Sequence, residues 1–324
     1  MKFLCYIICF TFAFQDQISA QQSAQKYTRQ TDYLLSLPDG YNADTVKRWP
    51  LMIFLHGSGE CGDDLEKVKV NGPPKLIAHG KKFSFIVVSP QAKEDDKGWE
   101  PDHLYHFLKY IKKAYRVDPD RIYLTGLSMG GFGTWALAID HPEEFAAIVP
   151  ICGGGDTSKA WRLRYTPVWC FHGALDNIVP VAKDEQMVNA LRNYNPSIRF
   201  TVYPDANHNS WEKAYATDSL YDWLLAQKKF AYKEVKADPK LMYAYEGVFK
   251  GASGDTIKIY TDSAGLHAKT SDNTYLLKLQ GGDTFFIFEN VFVDLRFNRD
   301  EKGAIDSFTV FEESKTIYRR VHTR

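Results

Sequence analysis

The sequence predicts a three-layer α/β sandwich with a mostly parallel sheet, followed by a small all-β antiparallel barrel or sandwich. Three observations lead there. Between Trp49 and about Lys229, runs that are apolar throughout alternate with amphipathic segments. Strands of that kind, joined by helices, imply a parallel sheet covered on both faces. After about Ala237 the pattern changes to short strand-like runs punctuated by Gly, Asp and Asn, with no helical run. Finally, a Gly-x-Ser-x-Gly string stands where a strand run gives way to a helix run.

The elements follow in order. Phe3 to Phe14 is an apolar run of 12 residues behind Lys2, closed by Ile18-Ser19-Ala20. That is the layout of an export signal cleaved after Ala20, and it is shorter than the ~20 apolar residues of a membrane span. The expected organisation is a signal at 1–20, an α/β unit at 21–230 and a β-rich unit at 238–324, with the mature protein secreted or periplasmic and no membrane span. Residues 32–37 form a weak strand pattern. PLMIFLHG (50–57) and SFIVVSP (84–90) read as buried strands, and 103–117 carries Leu104, Phe107, Leu108, Ile111 and Tyr115 at helical spacing. Strand 121–126, helix 131–141, strands 146–154 and 166–173, helix 183–194, strand 199–204 and helix 219–229 complete the first unit. About eight short strands, from YEGVF to TIYRR, make up the second.

Composition bounds the function. The 324 residues hold 40 Lys+Arg against 40 Asp+Glu, with 44% hydrophobic residues. These values exclude a chain that is disordered throughout, and the charge balance gives no support to a nucleic-acid partner. Once the signal is removed, Cys61, Cys152 and Cys170 remain. Cys152 and Cys170 each follow an apolar run and are open to two readings, a disulfide or a pair of buried thiols. No CxxC and no His/Cys cluster at zinc spacing occurs, so neither a metal nor a cofactor is expected.

Gly126-Leu127-Ser128-Met129-Gly130 carries the chemistry. A sharp strand-to-helix turn would lift the Ser128 hydroxyl above the carboxyl edge of the sheet. A hydroxyl needs a base, and the base needs an orienting acid. Asp176 and His208 lie in loops after later strands, in the order serine, acid, histidine. Asp156 falls one strand too early, and Asp205 lies too close to His208. Among the nine histidines, His56 and His172 precede glycine directly after strands, where stabilising a turn is the simpler role. The oxyanion hole is expected from the backbone N–H of Met129 and that of Ser58, with Gly59 as alternative, in the Gly-rich loop 55–64. Trp99, Trp161 and Trp211 are candidates for stacking on substrate or for the core, and 60–82 and 155–166 are candidate lids.

These residues resemble the α/β-hydrolase superfamily. HGSGECGDDLEKVKVNGPPKLI, VDPDRIYLTGLSMGGFGTWALA, PVWCFHGALDNIVP and YPDANHNSW are similar to secreted bacterial carboxylesterases. The group is that of feruloyl-esterase and polyhydroxybutyrate-depolymerase-like enzymes, often labelled phospholipase/carboxylesterase. The resemblance covers about 45–228. It implies Ser128 as nucleophile, His208 as general base and then acid, Asp176 as its orienter, and an ester substrate, small or linked to a polysaccharide. The tail from Tyr245 to Val321 resembles, more loosely, a lipocalin-like module. Two rival functions stand beside this one: a prolyl-oligopeptidase-like serine peptidase, and a binding protein with an inactive hydrolase core.

Overall fold

The computed structural model describes residues 31–94, 97–236, 238–287, 293–312 and 314–321, and these cluster as one compact unit. The expected signal and its cleavage point lie outside the described residues. No helix among the described residues is long and apolar enough to cross a membrane.

The first part begins with β1 (Tyr33–Ser36), β2 (Trp49–Leu55), α1 (Gly72–Ala78), β3 (Ile86–Pro90) and α2 (Pro101–Ala114). It continues through β4 (Val117–Leu127), α3 (Met129–Asp140), β5 (Ala147–Ile151), β6 (Trp169–Gly173), α4 (Ala182–Arg192), β7 (Arg199–Tyr203), α5 (Trp211–Tyr215) and α6 (Asp218–Ala226). The sheet order is β1-β3-β2-β4-β5-β6-β7; β1 is antiparallel to β3 and the other pairings are parallel.

Strand β2 shows why the sheet is covered twice. Leu51, Ile53 and Leu55 face a core shared with Leu104, Phe107, Leu108 and Ile111 of α2, Trp135 of α3 and Met187 and Leu191 of α4. Met52 and Phe54 face the opposite core with Leu76 of α1, Tyr215 of α5 and Leu220 and Leu224 of α6. A period of two therefore divides one apolar strand between two helical layers.

Helix α2 is shorter than its hydrophobic pattern. It stops at Ala114, Tyr115 turns extended, and Val117 already pairs with Trp49 in the sheet. The helical spacing of Tyr115 is overridden by strand pairing, a tertiary contact that periodicity does not register.

The second part is a closed antiparallel barrel: β8 (Gly247–Lys250), β9 (Thr256–Asp262), β10 (Gly265–Lys269), β11 (Thr274–Gly281), β12 (Thr284–Ile287), β13 (Asp294–Arg299), β14 (Ile305–Phe311) and β15 (Lys315–Arg320). Pairing of β15 with β8 and of β9 with β10 closes it, which removes free strand edges. Phe249, Phe285, Phe297 and Phe308 fill its interior through edge and tilted ring contacts. The expectation of no helical run in the tail needs correction. A single turn, α7 (Pro239–Met242), capped by the Asp238 carboxylate, runs into a 3-10 turn at Tyr243–Tyr245 before the barrel. Met242 and Tyr245 pack into the barrel core. One turn is too short to show helical periodicity.

Candidate active site

Ser128 ends the β4–α3 junction with φ 52° and ψ −116°. Such a conformation costs about 1–3 kcal/mol and persists only where its surroundings enforce it. The Ser128 N–H donates to Ile151 O at 2.9 Å. The flanking glycines allow the turn to sit tight on β2. A Cβ on Gly130 would stand 2.0 Å from Leu55 O, and one on Gly126 2.3 Å from Gly130 O. Here glycine is needed for close backbone approach.

The sheet then brings three distant residues together. His208 Nδ1 lies 2.7 Å from Asp176 Oδ2, and His208 Nε2 lies 2.9 Å from Ser128 Oγ. An ionised carboxylate only accepts, so Nδ1–H donates to Asp176, leaving Nε2 to accept from the Ser128 hydroxyl. The other carboxylate oxygen, Oδ1, accepts from the N–H groups of Ile178 and Val179, each at 2.9 Å. Burial opposes ionisation of Asp176. The hydrogen bonds from His208 and the two amides outweigh it and hold the carboxyl below its usual range. This arrangement can take a proton from the serine hydroxyl and stabilise the imidazolium that forms.

Met129 is the first residue of α3, so its N–H belongs to the turn of amides that lack an intrahelical acceptor. Ser58 is exposed and opens a 3-10 turn, Ser58–Glu60. His56, just before it, accepts from Ala92 N–H at Nε2 and donates from Nδ1 to Gly57 O. Burial pushes its pKa down to about 4, so it is neutral. That is the turn-stabilising role expected of it.

The three tryptophans separate. Trp211 stands edge-on to His208, ring centroids 5.3 Å apart, and donates to Asn71 Oδ1 at 3.0 Å. Asn71 in turn donates to the buried Glu60 carboxylate at 2.5 Å. The sequence reading missed this tie between the His208 side and the Ser58 loop, because an Asn before two prolines carries no pattern of its own. Trp99 packs on His56 and donates to its carbonyl at 3.1 Å. Trp161 is buried against Phe311 of the barrel.

The two candidate lids are both packed down. Residues 157–163 form a 3-10 helix with Ala160, Trp161 and Leu163 buried, and Arg164 after it pairs with Asp294 of the barrel. In 60–82, Val68, Pro73 and Pro74 are buried and Asn71 is pinned to Trp211. Being near the site edge in sequence did not make either segment an open flap.

Cys152 and Cys170 are buried free thiols. The Cys152 sulfur lies within 4.8 Å of donor atoms of Asp176 and His208. Those two residues are committed to the hydrogen bonds above, and burial pushes the Cys152 thiol well above its usual pKa. We assign the group no metal.

Residues 91–233 match the family model described as the dienelactone hydrolase family. The chain is 24% identical over 193 residues to a bifunctional acetylxylan esterase/xylanase from Neocallimastix patriciarum, covering 58% of this chain and 28% of that protein. It is 29% identical over 205 residues to a poly(3-hydroxyalkanoate) depolymerase C from Paucimonas lemoignei, covering 49% of this chain and 47% of that protein. The chain thus spans less than half the length of either relative. Among solved structures, a thermostable esterase aligns with a TM-score of 0.51 and 32% identity, over 60% of this chain and 59% of that one.

Proposed function

We propose, for a chain whose residues 91–233 match the model of the dienelactone hydrolase family, that it is a serine carboxylesterase acting through an acyl-enzyme. The observation that carries this reading is the continuous hydrogen-bond chain from Asp176 through His208 to Ser128. Ser128 Oγ attacks the ester carbonyl while His208 Nε2 takes its proton. The N–H groups of Met129 and Ser58 hold the oxyanion, and His208 returns the proton to the leaving alcohol. Water then attacks the acyl-enzyme with His208 again as base. Each step balances with these residues alone.

The substrate class is an acyl or feruloyl ester, free or carried on a polysaccharide. Supporting this are the acetylxylan esterase/xylanase and the poly(3-hydroxyalkanoate) depolymerase among the relatives and Trp211 beside His208 as an aromatic wall. The apolar run at the start of the sequence supports export. Replacing Ser128 with Ala is expected to abolish p-nitrophenyl butyrate hydrolysis and labelling by a fluorophosphonate probe while leaving the melting temperature near that of wild type. Turnover retained in that variant would overturn the reading. A panel of acetyl, butyryl, feruloyl and peptide substrates separates an esterase from a peptidase.

A further inference from the structure

Behind Asp176 lies a second buried carboxylate–imidazole pair that the reaction above does not use. His172, at the end of β6, is fully buried. Its Nδ1 lies 2.8 Å from Asp184 Oδ2. Its Nε2 lies 2.8 Å from Val179 O and 3.3 Å from Asp176 Oδ2. Both ring nitrogens therefore face oxygen acceptors. A neutral imidazole has one N–H, and its bare nitrogen would point a lone pair at oxygen lone pairs. With Asp184 ionised, both nitrogens must carry N–H, and the ring is positive.

Asp184 is built to hold that charge. It is fully buried on α4 and also accepts from Trp135 Nε1 at 2.8 Å and from Gly153 N–H at 2.9 Å. The remaining ionisable groups around the pair are Asp176, in the loop after β6, and the thiols of Cys170 in β6 and Cys152 after β5, with His208 beyond Asp176. Burial alone would push the His172 pKa down. The Asp184 carboxylate, with help from Val179 O and Asp176, outweighs it and holds the ring above the usual imidazole value.

Asp176 Oδ2 is thus shared: it accepts from His208 Nδ1 on one side and faces His172 Nε2 on the other. We propose that His172, held as a buried imidazolium by Asp184, is a positioning residue for the Ser128–His208–Asp176 chain, locking the Asp176 carboxylate and drawing charge from the oxygen it offers His208. The inference rests on the serine-esterase reading. Its consequence has a definite sign. A positive charge beyond Asp176 opposes a second one on His208. Removing it must move the acid limb of activity to higher pH.

The test is the pH dependence of kcat/KM for p-nitrophenyl butyrate with the full chain. Wild type is compared with His172→Gln, which keeps a neutral donor, and with Asp184→Asn, which removes the counter-charge. The acid limb of His172→Gln, which leaves the Asp184 charge uncompensated, is expected to move up by about one pH unit, and that of Asp184→Asn, which loses both charges, by less. A folded His172→Gln variant whose limb coincides with that of wild type overturns the proposal, even if its kcat falls, because a merely structural role lowers activity without moving the limb. Should both variants fail to fold, ¹⁵N-histidine spectra of wild type at pH 7.5 decide. A buried, exchange-protected ring carrying two N–H protons supports the proposal, and its absence refutes it. Ser128→Ala runs beside these samples. If it retains turnover, the esterase reading itself falls and takes the inference with it; if it is inactive while the limbs stay put, only the inference falls.

Discussion

At the residue scale, the side chains of the proposed site are held by contacts on several sides. Asp176 spends one oxygen on two backbone amides and the other on His208. Its carboxylate is therefore oriented before any substrate arrives, and the tautomer of His208 follows from it. Asp176→Asn keeps the shape but can offer an N–H where an acceptor is required. With the wrong tautomer favoured, kcat is expected to fall by about 10⁴. Circular dichroism should remain that of wild type. A fall of less than tenfold in a steady-state assay would remove Asp176 from the role given to it. Trp211 belongs to the same scale: its ring closes one side of His208 while its indole N–H is committed to Asn71.

At the element scale, the decisive unit is β4–turn–α3. The strand is hydrogen-bonded between β2 and β5, and the helix starts at the residue after Ser128. Such rigid neighbours hold Ser128 at positive φ. Gly130→Ala would set a methyl 2.0 Å from Leu55 O and 2.8 Å from His56 O, against backbone that cannot rotate away. Either β2 or the turn must then shift. We expect a loss of stability of about 2–4 kcal/mol by urea unfolding, together with loss of esterase activity. A stable, fully active Gly130→Ala enzyme would mean that the close packing of turn on strand is dispensable. Helix α2 carries the opposite lesson, since its pattern of apolar residues outran its actual end.

At the scale of the whole molecule, sheet and barrel are joined by a buried polar clamp. Arg164 donates to Asp294 of β13 through Nε at 3.0 Å and through a second nitrogen, with Arg164 4% and Asp294 0% exposed. The hydroxyls of Tyr165 and Tyr232 also donate to Asp294, at 3.1 and 3.2 Å. Stacked rings flank the clamp, Tyr165 on Phe230 and Tyr232 on Phe286. Removing one partner of such a pair leaves a buried charge uncompensated. Arg164→Leu is therefore expected to cost about 3–5 kcal/mol and to expose the connection at 228–240 to protease. Arg164→Leu combined with Asp294→Leu should recover much of that loss. If the single variant unfolds at the wild-type urea midpoint, the clamp contributes nothing to holding the two parts together.

What could be read from the sequence, and what could not, divides along a physical line. Apolar runs of strand length, the change of pattern near Ala237 and the string Gly126–Gly130 are local features, and local features set period, element type and turn chemistry. They determined the α/β sheet, the β-rich tail and the order Ser128, Asp176, His208. The tertiary structure decided everything that depends on which distant chains meet. Only packing turned Asp184 inward from the acidic first turn of α4 to hold His172. Only strand pairing ended α2 at Ala114. Only barrel closure brought Asp294 to Arg164 and buried Trp161 against Phe311, the core place that was one of its two readings. A buried charge is stabilised by partners far away in sequence, and no local period records them.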